Sequence, residues 1–256
     1  MAEHLLLLPV FVECAKKVRE PSDDEYATMM YDQTGHQALW LDTKTRSIFL
    51  KALEKFKHTA PISNIVCIGM GTLHGNGLES TLSMVKHIVA TTLAEELTRL
   101  YKKNGVPLEK PITIIAQDST YTKRDRELLS GLPVPMQTVA DPEGFLAIDE
   151  SSLVFSNYVG DPVKHLIADL ATEAPHGKGP AALFLNKEKS LGNVDLIGYD
   201  PDHPIVHTNP ETRAYATMLK SYEQVMDGAE LFGVEGIPIR DYHKWLAEMN
   251  MWARED

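Results

Sequence analysis

Six residues able to do chemistry fall within positions 69–80: Gly69, Gly71, Thr72, His74, Glu79 and Ser80. Glycines let ligand atoms approach the backbone closely. A threonine or serine hydroxyl can act as a nucleophile or bind a phosphate or carboxylate. A histidine changes charge near neutral pH and can serve as a base. Three further groups follow short apolar runs: Asp118, Ser119 and Tyr121; Asp141 and Glu143; Asn157 and Tyr158. Taken together the set is polar and net acidic, which suits a cationic substrate. Each residue also has a structural alternative. Asp118 can cap the following turn as readily as hold a ligand, and Asp141, which precedes a proline, favours capping. His74 can be a solvent-facing loop residue, Ser80 an ordinary helix residue, and Tyr121 and Tyr158 rim aromatics over a sheet edge.

The elements that must position these groups are legible from periodicity. Ile65–Ile68 is a β-branched apolar run, and Leu78, Leu82, Val85, Val89, Leu93 and Leu97 then recur every three or four residues. The pattern is a buried strand, a glycine-crowded turn and a helix over about 79–103, ended by Asn104-Gly105. It is the first unit of a Rossmann-type domain. Further strands are expected at 111–116, 136–139, 153–155 and 181–185. Between them lie a helix at 123–131 capped by Thr122 and another opened by Pro162. Strands alternating with helices predict an α/β fold: a doubly wound, mainly parallel Rossmann-like sheet whose strand ends converge on one crevice. Residues 5–12 read as a strand or short helix, 21–36 as a loop with a helical turn, and Asp42 as the cap of a helix through Phe56. Residues 190–212 read as an ordered loop region, followed by helices near 211–226 and 239–252. The chain is expected to be a single domain over 1–256. Its core lies at about 62–190, with segment 1–61 and C-terminal helices over 191–256 packed on it.

Composition narrows the function classes. The 256 residues carry 36 acidic against 25 basic side chains, a net charge of −11. That argues against broad nucleic-acid binding while leaving room for a local basic patch. Lys102, Lys103 and Lys110 form one such patch and Lys123, Arg124 and Arg126 another, each of which can equally be a solvated helix face. The two cysteines, Cys14 and Cys67, give no disulfide framework. His165, His176, His203, His207 and His243 show no metal-ligand spacing, so no metal is expected. The apolar run at the N-terminus is short and lacks a basic flank, and no stretch is long enough to span a bilayer. A cytoplasmic protein without membrane contact is the simplest expectation. The glycine spacing is not that of a dinucleotide fingerprint, because the third glycine is replaced by His74, and no Walker Gly-Lys-Ser/Thr follows. No cofactor is therefore expected, and a nucleotide-dependent oxidoreductase ranks low.

The ordered set Val-Cys-Ile-Gly-Met-Gly-Thr-Leu, Ile-Ile-Ala-Gln-Asp-Ser-Thr-Tyr-Thr-Lys-Arg-Asp, Asp-Pro-Glu-Gly-Phe-Leu-Ala-Ile-Asp and Ser-Leu-Val-Phe-Ser resembles the sensitivity-to-red-light-reduced-like family in its fungal form, over roughly residues 62–190. That family is known mainly through regulatory roles, so the resemblance implies a fold more directly than a reaction. A similar group is the arginine-containing cyclodipeptide synthases, which take amino acids from aminoacyl-tRNA. Their acidic Asp-Asp-x-x-Glu motif has only partial echoes here, in Asp23-Asp24-Glu25 and Asp141-Pro142-Glu143.

Two functions from different classes follow from this resemblance. The first is aminoacyl-tRNA-dependent synthesis of an arginine-containing cyclic dipeptide in secondary metabolism. Its catalytic residues would be Thr72, His74, Tyr121 and Tyr158. Its substrate-binding residues would be Gly69, Gly71, Glu79, Ser80, Asp118, Asp141, Glu143 and Asn157. Lys123, Arg124 and Arg126 would meet the tRNA. A guanidinium requires planar carboxylate partners, which the acidic residues of this set can supply. The second is a non-catalytic regulatory or ligand-binding protein using the same crevice. A homodimer is compatible with either.

Overall fold

A computed structural model describes residues 18–75, 77–157, 163–174, 176–187, 213–232 and 241–255. The expectations for residues 5–12, Cys14, Tyr158 and 190–212 lie outside these residues. Among the described residues, seven strands form one sheet in the order β3-β2-β1-β4-β5-β7-β6. They are β1 (Asn64–Ile68), β2 (Thr113–Gln117), β3 (Met136–Val139), β4 (Ser152–Ser156), β5 (Ala182–Asn186), β6 (Tyr222–Asp227) and β7 (Met249–Arg254). The first five are parallel to one another, with Ile65 opposite Ile114 on one side and Leu153 on the other. β1 is central because it can be: Ile65, Val66, Cys67 and Ile68 bury almost all of their surface on both faces.

Helices cover both faces. On one side lie α1 (Asp23–Leu41), α2 (Lys44–Leu53), α3 (Leu78–Asn104) and α4 (Lys123–Ser130), packed over Ile65, Cys67, Ile114 and Phe155. On the other lie α5 (Glu143–Leu146), α6 (Val163–Glu173) and α7 (Arg213–Met218), over Val66, Ile68, Val154 and Leu183. The mostly parallel sheet with helices on both faces is the Rossmann-like α/β fold expected from the alternation of strands and helices. α3 closes where expected. Gly105 adopts a left-handed φ of 70°, and its N–H returns to the carbonyls of Tyr101 and Lys102. The Tyr101 hydroxyl accepts from the Ile62 amide at 3.0 Å, which ties the helix to the entry of β1.

Four expectations are corrected. Residues 21–36 are not a loop: they form most of α1. Ser22 and Glu25 build a reciprocal capping box, and Asp23, Asp24 and Glu25 place negative charge at the helix start. Gly35 lies inside it, at a position where a Cβ would meet nothing within 4 Å. α2 is capped by Thr43 rather than Asp42, its hydroxyl accepting from the Arg46 amide at 3.0 Å. The helix expected over 211–226 stops at Met218, and Tyr222–Asp227 is instead strand β6. Residues 239–252 are not one helix either. A 3₁₀ segment spans Asp241–Glu248, and Met249–Arg254 is strand β7. β7 runs antiparallel between β5 and β6 and covers the edge that β5 would otherwise expose. Short helices, α7 and α8 (Gly228–Phe232), accompany these two strands in the C-terminal segment. Among the described residues no helix is long and apolar enough to cross a membrane.

Candidate functional site at the carboxyl edge of the sheet

The loop leaving β1 is built around the carboxylates of Asp118 and Asp125. Gly69 prolongs the ladder by donating its N–H to the Gln117 carbonyl at 2.9 Å. The chain then turns at Gly71, whose φ of 85° is left-handed. A side chain there would also meet the Ser83 hydroxyl at 3.3 Å, the group that donates to the Gly71 carbonyl at 2.6 Å. The Gly71 amide donates to Asp118 Oδ2 at 2.6 Å, while Asp118 Oδ1 accepts from the Thr120 amide and hydroxyl. Asp118 thus acts in the structure as a clasp between two strand-end loops, and capping is one of the two roles open to it from its sequence position.

Thr72 is held in the same way. Its hydroxyl donates to Asp125 Oδ2 at 2.8 Å and accepts from the His74 amide at 3.1 Å. Asp125, fully buried, also accepts from the Leu73 amide and from the amide and hydroxyl of Thr122. Thr122 and Asp125 are the two halves of the α4 capping box. Tyr121 is buried, and its hydroxyl lies 2.7 Å from His87 Nε2. His87 Nδ1 lies 2.7 Å from the Ser83 carbonyl, which can only accept. Nδ1 therefore carries the proton, and Nε2 accepts from Tyr121. Burial pushes the His87 imidazole down to about 4. It also raises the Tyr121 phenol well above its ordinary value, with the Asp118 charge adding to the shift. Lys86, beside His87, is lowered by burial, against the pull of Asp118.

The remaining sequence-predicted residues divide by location. Ser80 donates to the Gly75 and Gly77 carbonyls, stitching the end of the glycine loop to α3. Glu79 is exposed in the first turn of that helix. Asp141 and Glu143 are exposed and stand apart from the Thr72 network. Asp141 accepts from Gln117 Nε2 at 2.9 Å, and the Gln117 carbonyl oxygen Oε1 receives the Gly144 amide at 2.6 Å. A Cβ on Gly144 would lie 2.7 Å from Gln117, so glycine is required for this contact. Asn157 is buried beneath β7, its amide 3.0 Å from the Met249 sulfur. Arg124 is committed to protein: it pairs with Asp23 and Glu127 and lies 4.8 Å over the Tyr26 ring. Lys123 projects into solvent and Arg126 is half-buried.

His74 faces open space. It lines a cavity of about 230 Å³ between α1 and residues 73–84, together with Arg19, Asp32, Ser80, Thr81 and Met84. His74 Nε2 lies 3.4 Å from Arg19 Nη2. Arg19 forms a bidentate pair with Glu25, and this pairing, with the Ser22 amide, holds the Glu25 carboxyl down to about 2. No group of metal-ligating side chains occurs among the described residues.

Asp125, His87 and the α1 face of the cavity were not singled out in the sequence. The Thr-x-x-Asp capping box and the Ser83/His87 spacing of one helical turn were the available signals. Among curated proteins none matches the chain. The pattern of the SRR1 domain matches residues 49–225, well over half of the chain and beyond the span that carried the resemblance at both ends. With its strand-end loops in that matched region, the chain belongs to the SRR1 domain family.

Proposed function

We propose that this protein binds a small polar ligand in the cavity between α1 and the glycine-rich loop, as a regulatory or ligand-binding member of its family. The observation that carries this reading is the contrast between the cavity and the residues around it. Thr72, Tyr121, Asp118 and Asn157 spend their polar atoms on the protein itself. The cavity beside them stays open, with His74, Asp32 and Arg19 on its wall. Its place is also apt, because ligands of open α/β sheets sit beyond the carboxyl ends of the strands. The test is a melting-temperature screen across a metabolite panel. A ligand at a hundredfold its Kd adds about 2.7 kcal/mol to the folded state. Thr81→Trp, which fills the cavity from α3, should abolish the shift. A panel that moves neither protein would overturn the reading.

A second reading is favoured by one contact, the 2.8 Å bond from the Thr72 hydroxyl to Asp125. A hydroxyl paired with a carboxylate is a nucleophile with its proton acceptor in place. In that reading an aminoacyl group leaves the ribose oxygen of an aminoacyl-tRNA for Thr72 Oγ1. A second aminoacyl-tRNA's amine then takes it on the way to an arginine-containing cyclic dipeptide. Purified protein incubated with charged total tRNA should yield a new cyclic dipeptide by mass spectrometry. The product should vanish when arginine is omitted and in Thr72→Ala, and persist in Thr72→Ser. Equal product from Thr72→Ala would rule out this nucleophile.

A further inference from the structure

The hydrogen-bond inventory of the α1 cavity specifies the charge of what enters it. α1 presents Glu25, Thr28, Met29, Asp32 and His36 to the cavity, positions that recur about once per helical turn and so share one face. Met29, Leu73 and Met84 are buried and make an apolar floor. Three hydroxyls stand around that floor, and each has already given away its hydrogen. Thr28 donates to the Asp24 carbonyl at 3.0 Å, Thr81 to the Gly77 carbonyl at 3.1 Å, and Ser80 to the Gly75 carbonyl at 2.9 Å. What they can offer a ligand is lone pairs. The positive charge of Arg19 is neutralised by its two bonds to Glu25. Asp32, in contrast, has no hydrogen-bond or ion-pair partner among the described residues. Beside the imidazoles of His36 and His74, the cavity therefore offers hydroxyl acceptors, a carboxylate with no partner among the described residues and an apolar floor, in a chain of net charge −11 that draws cations toward it.

We propose that this cavity selects a small organic cation, an ammonium or guanidinium group on an apolar stem, with Asp32 as its counter-charge. The stem lies on Met29, Leu73 and Met84, and the N–H donors of the head meet Asp32 and the hydroxyl oxygens of Thr28, Ser80 and Thr81. An anion would face the Asp32 carboxylate and would have to compete with Glu25 for Arg19. The proposal rests on the ligand-binding reading of the same cavity and adds to it the charge of the ligand.

The experiment uses four probes of matched length: hexylamine, pentylguanidine, hexanol and hexanoate. Binding to the full chain is read by ligand-observed NMR and by titration calorimetry, for the wild type, Asp32→Asn and the cavity-filling Thr81→Trp. Asp32 is exposed on α1, so its amide variant should retain the wild-type melting temperature. The expected result is binding of the amine and the guanidine at least tenfold tighter than the alcohol. Asp32→Asn should lose that margin, and Thr81→Trp should lose all binding. Hexanoate or hexanol binding as tightly as the cations, with Thr81→Trp abolishing it, would overturn the cation proposal and leave the cavity reading intact. Cation binding unchanged in Asp32→Asn would remove Asp32 as the counter-charge and overturn the proposal as well. No binding of any probe, together with no stabilisation by the metabolite panel, would overturn both.

Discussion

Asp125→Asn is expected to lower the unfolding free energy by about 3–4 kcal/mol, since each hydrogen bond to a buried charged group contributes about 1.5–3 kcal/mol. The side chain is completely buried and receives four donors. Its Oδ2 takes the Thr72 hydroxyl and both the amide and hydroxyl of Thr122, and its Oδ1 takes the Leu73 amide. An asparagine has one oxygen and one NH₂ in place of the two oxygens. With the NH₂ in the Oδ2 position it points at the Thr122 amide, and in the Oδ1 position at the Leu73 amide. Hydroxyls can rotate away but backbone N–H groups cannot, so either orientation leaves one amide facing a donor. Urea unfolding of wild type and variant measures the difference, and amide exchange at Leu73 and Thr122 should quicken in the variant. Asp118→Asn makes the comparison, because Asp118 is only half-buried and should cost less. A loss below 1 kcal/mol in Asp125→Asn would show that this carboxylate does not hold the β1 loop to α4.

The same network explains which parts of the molecule were legible beforehand. β1 and β3 fall where periodicity places them, and the other parallel strands lie within a residue or two; β1 is the clearest, because a β-branched run buried on both faces has few other solutions. α1 was missed because its apolar residues do not keep to one side. Met30, Tyr31, Leu39 and Leu41 are exposed while Met29 and Trp40 are buried, so the helical period is blurred and only the cap announces it. β7 was missed for a different reason. Met249, Met251 and Ala253 alternate with Asn250 and Trp252 as a strand requires, but methionine and alanine are good helix formers, and pairing with β5 overrides that preference.

The candidate site shows a related gap between residue type and role. Hydroxyls and carboxylates clustered at strand ends can do chemistry, and they can also bond one another to hold loops together. Sequence spacing does not separate these uses, because both need the same atoms in the same neighbourhood. What separates them is the direction of each hydrogen. Thr72 and Ser80 look alike in sequence, yet one donates to a carboxylate and the other to backbone carbonyls. Asp118 and Asp32 are both acidic, yet one is saturated by loop donors and the other has none among the described residues. Asp32 drew no notice in the sequence because it stands in a stretch that read as a loop, with no apolar run ending beside it.

His87 should make the protein lose stability between about pH 6.5 and pH 4, and His87→Gln should remove that loss. The imidazole is buried, donates to the Ser83 carbonyl and accepts from Tyr121, an arrangement that requires its neutral form. Burial is the largest influence and pushes it down to about 4; the Ser83 carbonyl and the Asp118 and Asp125 carboxylates oppose the shift, and Lys86 adds to it. In the unfolded chain the same group titrates near 6.5. Between these values the unfolded chain binds a proton that the native protein excludes. Stability is therefore full above pH 6.5, falls as the pH drops through the window, and levels off below 4, where the native state is protonated too. A gap of this size corresponds to about 3 kcal/mol. Glutamine can keep both contacts, with its oxygen accepting from Tyr121 and its NH₂ donating to Ser83, but it does not titrate. Denaturant unfolding of both proteins across this pH range should give curves that converge above pH 7 in slope and separate steadily below 6.5, the variant staying flatter. Parallel curves throughout would mean that His87 takes up its proton as easily in the folded protein as in the unfolded chain, and that Tyr121 is held by something other than a neutral imidazole.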